Sequence, residues 1–171
     1  CINAILAGLR KKSTESLFVH LSGTGLISDE REQKWQGDQN PHVWDDVKDM
    51  QALYDLPSEA RHRPTDKLIQ DASNDLIKTI CIFPPDIYGQ STSIGGHGTY
   101  MVPLFIEASR EHGETFYLGK GENMRGVAHI DDVASLFALI IGKYLDGGDG
   151  LDYGKEVHHP CDAKLFLMGI T

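Results

Sequence analysis

Cysteine is scarce in this chain. Its 171 residues hold three, at positions 1, 81 and 161. An odd count at such wide spacing argues against both a disulfide framework and a zinc site. Cys81 lies inside an apolar run and reads as a small core residue. The segment His158-His159-Pro160-Cys161 has metal-binding residue types, but no further ligands at coordinating spacing, and zinc takes three or four. Long hydrophobic runs are also missing. None approaches the ~20 residues a membrane helix needs, and no secretory leader pattern is present. The expected compartment is therefore cytoplasmic, with no membrane partner. Basic residues are the minority, 16 Lys plus Arg against 25 Asp plus Glu, for a net charge of −9. A nucleic-acid partner needs a basic footprint that this balance does not supply, and any anionic ligand needs a local cation. Two phosphate-binding signatures are absent as well. No Gly-Lys-Ser/Thr marks a P-loop, and no complete G-x-G-x-x-G opens a helix.

What is present is enough for one domain with a real core. The chain is organised around residues 77–89, I-K-T-I-C-I-F-P-P-D-I-Y-G. A run of apolar and β-branched residues predicts a strand buried on both faces, as in a parallel sheet covered by helices. Pro84-Pro85 cannot continue the ladder and must turn the backbone out of the sheet. Ligands of open α/β sheets sit beyond the carboxyl ends of the strands, so residues 84–89 are placed to line a site.

Ahead of that strand, Ile2, Ile5, Leu6 and Leu9 repeat at helical spacing, with Arg10, Lys11 and Lys12 at the end where cations oppose the helix dipole. L-F-V-H-L, residues 17–21, predicts a second buried strand. A helix entering a strand with none before it is half of a βαβ crossover, so the chain reads as the later part of a longer protein. Ser22-Gly23-Thr24-Gly25 comes next. Its resemblance to a dinucleotide fingerprint fails, because Ser28 replaces the third glycine and a polar loop takes the place of a helix. Ser22 and Thr24 either present hydroxyls to a ligand or satisfy turn amides.

Residues 30–56 form a long polar loop whose tryptophans, Trp35 and Trp44, favour packing. Residues 57–74 predict a helix with Pro64 in its first turn and an apolar face of Leu68, Ile69 and Ala72. His62 and Asp66, at i and i+4, read as a surface pair, with proton transfer as the alternative. Residues 90–99 form a glycine-rich loop, 101–111 a helix with Pro103 in its first turn, and 115–123 a short strand with a G-K-G turn. V-A-H-I, 127–130, predicts a strand. Asp131 or Asp132 then caps a helix, whose buried face is Val133, Leu136, Phe137, Ile140, Ile141 and Tyr144. Residues 145–171 lose any clear period, and the apolar K-L-F-L-M-G-I near the end reads equally as strand or helix.

Two of these segments carry a resemblance. I-F-P-P-D-I-Y-G resembles the R-P-x-x-V-Y-G segment of the extended short-chain dehydrogenase/reductase family, which includes the NAD-dependent epimerases and dehydratases and nucleoside-diphosphate-sugar epimerase-like proteins. Phe83 stands at the family's arginine. M-R-G-V-A-H-I-D-D-V-A is similar to its R-D-F-V-H-V-D-D-V-A. The resemblance covers residues 1–144 and implies an α/β fold, the C-terminal part of a Rossmann-type parallel sheet with a small substrate-side lobe, leaving 145–171 as a tail. It implies an NAD or NADP cofactor and hydride exchange at a hydroxyl or carbonyl carbon of a small or sugar-nucleotide substrate. Ser22 or Thr24 would orient the reacting oxygen, Pro84, Pro85, Ile87 and Tyr88 would back the nicotinamide, and Arg125 would grip an anionic tail with its planar fork. His129 and the aspartate pair read as structural. The family's Tyr-x-x-x-Lys is absent: ungapped counting puts Pro57 and Arg61 there. The glycine-rich first βα turn is absent too, so the isolated chain is expected to bind NAD(P) weakly or not at all. A non-catalytic binding or regulatory member of the fold is the alternative, and a homodimer is left open as an assembly.

Overall fold

A computed structural model of the chain describes residues 1–29, 34–45, 48–92, 94–95 and 98–154. Its frame is two short parallel sheets with helices packed beside them. Helix α1, Ile2–Leu9, leads into β1, Ser16–Leu21, and then into a single 3₁₀ turn, Thr24–Ile27. Short helix α2, Met50–Tyr54, and helix α3, Arg63–Gln70, precede β2, Ile77–Ile82. The second sheet pairs β3, Asp86–Tyr88, with β4, Val127–His129; α4, Met101–His112, lies between them in sequence and α5, Ile130–Leu145, grows directly out of β4.

β1 and β2 run parallel in the register Ser16 to Ile77 through Leu21 to Ile82. The alignment continues past the strands. Ser22 N–H donates to Ile82 O at 2.7 Å and Thr24 N–H to Pro84 O at 3.1 Å. The two strands therefore deliver Ser22 and Pro84 side by side at one rim, as their sequences predict. Beyond the rim, Leu26, Leu53 and Phe83 form a buried cluster, with Trp44, Met50, Leu56 and Cys81 against it. The other edge of β2 is met from the far end of the described chain, where Gly154 N–H donates to Thr79 O at 2.9 Å and Tyr54 Oη donates to Gly154 O at 3.1 Å. So the first part of the segment after α5 returns to the sheet. K-L-F-L-M-G-I and the His158–Cys161 group lie outside the described residues.

Several expectations are corrected. The helix expected over 57–74 is only Arg63–Gln70. His62 takes a left-handed conformation (φ 68°) that stops a helix from running through it, and Pro64 fits the first turn of the shorter helix α3. Of the expected apolar face, Ile69 and Ala72 are buried but Leu68 is exposed, and Arg63, Asp66 and Gln70 share the buried side of α3 with Ile69. Residues 115–123 contain the glycine turn, closed by Gly121 N–H to Leu118 O at 2.8 Å, but no strand. The cap of α5 is His129, whose Nδ1 accepts from Asp131 N–H at 3.3 Å; Asp131 and Asp132 sit in the first turn, where their charge suits the helix dipole. Along the apolar face of α5, Val133 and Ile140 are buried, Leu136, Phe137 and Tyr144 are half-covered, and Ile141 is exposed.

Candidate functional site

The carboxyl rim of β1 and β2 gathers three groups. The first is Ser22. Its backbone is tied to Ile82, and its Oγ is buried with no hydrogen-bond partner among the described residues. A buried hydroxyl left unpaired costs roughly 1–3 kcal/mol, so such a group points to a missing partner. The second is the turn Gly23-Thr24-Gly25. A Cβ on either glycine would come within 3.2 Å of His62 Nε2, so the absence of side chains lets the imidazole lie against the turn. The third is His62 itself. It is exposed, it precedes α3, and its left-handed backbone is costly for a non-glycine residue. The i, i+4 pair expected between His62 and Asp66 does not form. Asp66 turns inward, fully buried, with its Oδ1 3.6 Å from His20 Nε2.

Below this rim lies a buried polar cluster that no apolar periodicity announces. Arg63 is 2% exposed. It donates from Nε to Leu56 O at 3.3 Å, from Nη1 to Gln70 Oε1 at 2.7 Å, and from Nη2 to Tyr54 O at 2.5 Å. One guanidinium thus ties the α2 region to α3. Neither oxygen of Asp66 has a hydrogen-bond partner among the described residues. Burial pushes the Cys81 thiol up to about 12, the Asp66 charge adding to the effect. Burial likewise pushes the Tyr54 phenol up to about 12, with Cys81 and Asp152 reinforcing it and Arg63 opposing it. The signal that could have exposed this cluster is the polar character of i, i+3 and i+7 on α3, the same spacing an apolar face would use.

The proline side of the rim is partly closed. Pro84 is buried, Pro85 and Ile87 are half-buried, and Tyr88 is exposed with its ring 5.1 Å from the His129 ring in an edge contact. Arg125 is held by Asp86, Nε to Oδ2 at 2.6 Å, and this partner keeps the guanidinium pKa raised. It stands beside the β3–β4 sheet, paired with a carboxylate rather than open. Gly89 N–H donates to Thr99 Oγ1 at 3.1 Å, drawing the end of the glycine-rich loop back to β3.

Short parallel strands with helices beside them are consistent with a partial Rossmann-like α/β fold. The sequence model of the NAD dependent epimerase/dehydratase family matches residues 59–154. The chain belongs to that family, whose members use a nicotinamide cofactor. Among curated proteins it is similar to the oxidase ucsJ of Acremonium sp, 20% identical over 146 residues that cover 82% of this chain and 42% of the relative. The chain thus spans about two fifths of that relative's length. No solved structure gives a match.

Proposed function

We propose that this chain carries the reaction rim of an NAD(P)-dependent oxidoreductase or epimerase that acts on a hydroxyl or carbonyl carbon of a small or sugar-nucleotide substrate. The observation that supports this most directly is the buried, unpartnered Ser22 Oγ beside Pro84. The rim suits the reacting end of such a cofactor and its substrate, since a buried hydroxyl without a partner among the described residues sits there and the glycines bring the His62 imidazole against the same turn. NAD(P), when bound, supplies the hydride donor or acceptor. Pro84, Pro85, Ile87 and Tyr88 would flank the nicotinamide, and either Ser22 or Thr24 would donate a hydrogen bond to the substrate oxygen. With the Tyr-Lys pair absent, His62 would be the proton-transfer group. Imidazole can accept or give a proton near neutrality, and this one lies against the same turn. Arg125 would bind an anionic substrate tail only by exchanging Asp86 for it. That the curated relative is named an oxidase is consistent with redox chemistry.

The test is a hydride-transfer assay, tracking NADH and NADPH absorbance against a panel of aldehydes, ketones and sugar nucleotides, with this chain in its full-length polypeptide. Ser22→Ala and His62→Ala are expected to lower kcat about 100-fold or more each, the usual scale for lost acid–base or oxyanion help. Turnover unaffected by both substitutions would remove the reading.

A further inference from the structure

From the rim a second feature opens. The 3₁₀ turn Thr24–Ile27 begins two residues after Ser22 and advances about 8 Å at ~2 Å per residue. At its end is a cleft of about 340 Å³, bordered by Ile27–Asp29, Lys34–Trp35, Asn40–His42 and Trp44. That volume is within the range of small-molecule sites. Both tryptophans in the chain line it.

The walls are built. Asn40 Nδ2 donates to Asp29 Oδ1 at 2.6 Å across the cleft, and Asn40 Oδ1 accepts from His42 N–H at 2.9 Å. Trp44 is anchored from behind by the Leu26, Leu53 and Phe83 cluster and braced edge-on by His42, ring centres 4.7 Å apart. Trp35 is held at φ 60°, a conformation that disfavours a bulky L residue, and its carbonyl closes a turn by accepting from Asp38 N–H. Lys34 Nζ lies 4.7 Å from the centre of the Trp35 ring. A strained backbone that leaves a large indole half-covered at a cleft is a pattern of ligand sites.

We propose that this cleft binds a flat conjugated ring bearing a carboxylate, with the ring against the indoles and the carboxylate on Lys34. The indoles favour planar faces. Among the described residues that line the cleft, Lys34 is the lysine or arginine, and the described acids near it have partners, Asp29 in Asn40 and Asp49 in His42 at 3.6 Å. The cleft would then hold the non-reacting part of the substrate whose oxygen meets Ser22. That role rests on the oxidoreductase reading; the binding itself does not, and is measured without cofactor.

The probe is 2-naphthoate, titrated into the 171-residue chain by calorimetry, with the two indole N–H resonances monitored by NMR. Saturable binding that moves both indole signals is expected. Trp35→Ala should weaken it at least tenfold. Lys34→Gln should weaken 2-naphthoate about fivefold and leave 2-naphthamide unchanged. Absence of saturation, still indole signals in the native chain, or equal affinity for cyclohexanecarboxylate would overturn the proposal. The native-chain NMR readout decides the matter even if Trp35→Ala fails to fold. Loss of naphthoate binding with hydride transfer intact sinks the cleft alone; the reverse sinks the reaction reading alone.

Discussion

Arg63, Asp66 and Cys81 show how much of this protein is decided one side chain at a time. Arg63 supplies three bonds to three acceptors in a fixed fork, a task lysine could not reproduce. Beside it, the thiol of Cys81 and the phenol of Tyr54 are kept neutral by burial. Their ordinary values are 9.0 and 10.0, and both stand at about 12 in the fold. A raised value means the folded state holds a proton that the unfolded chain gives up. The contribution is whole below pH 9.0, falls as pH rises past the ordinary values, and is gone above about 12. Urea unfolding on either side of pH 9.0 should therefore show stability declining as alkalinity rises, and Cys81→Ala should flatten the early part of that decline. An unchanged slope in the variant would mean that the thiol is not sheltered.

The joints between strands and helices are set by a few exacting positions. β3 gives way directly to Gly89, whose φ of 115° lies in the region that glycine alone enters freely. A Cβ there would come within 2.7 Å of His129 Nε2 and 2.9 Å of Ile130 Cγ2. His129 in turn caps α5 and contacts Tyr88, so the glycine, the cap and the second sheet form one joint. Gly89→Ala is expected to destabilise the chain by about 1–3 kcal/mol through backbone strain and this clash. Thermal melting measures it, and a variant that melts with the native chain would show that the joint yields. The motif I-Y-G made the glycine visible in advance. The imidazole cap was not visible, because aspartates are the commoner caps and two of them stand next in line.

At the scale of the whole molecule, much apolar surface is open. No residue of α4 is buried, and Val102, Leu104, Phe105 and Ile106 are all exposed. Among the described residues, the outer edge of β1 pairs with no strand. No described helix is long and apolar enough to cross a membrane. The proposed reaction rim has no companion here, since the 171 residues contain no complete glycine-rich fingerprint to set a pyrophosphate on a helix N-terminus. The chain alone is therefore expected to give no tight NADPH binding in a fluorescence titration; tight saturable binding would show that another part of it holds the diphosphate.

The sequence by itself determined β1 and β2, their parallel order and the rim, but neither β3, which follows Pro85 directly, nor the absence of a strand over 115–123. An apolar β-branched run stopped by Pro84-Pro85 has few other solutions, and the hydrogen bonds from Ser22 to Ile82 and from Thr24 to Pro84 are its consequence. It also determined the helical face of α5, because a 3.6-residue period is local information. Only the tertiary structure decided where polar side chains go. Asp66 and His62 are four residues apart, yet one is buried under the sheet and the other lies over Gly23 and Gly25. The left-handed turn at His62 and the fork of Arg63 separate them, and both depend on carbonyls and glycines brought close by folding rather than by order in the chain. The tryptophan cleft has the same origin: each indole could be read as packing, but their meeting around one cavity is a matter of three dimensions.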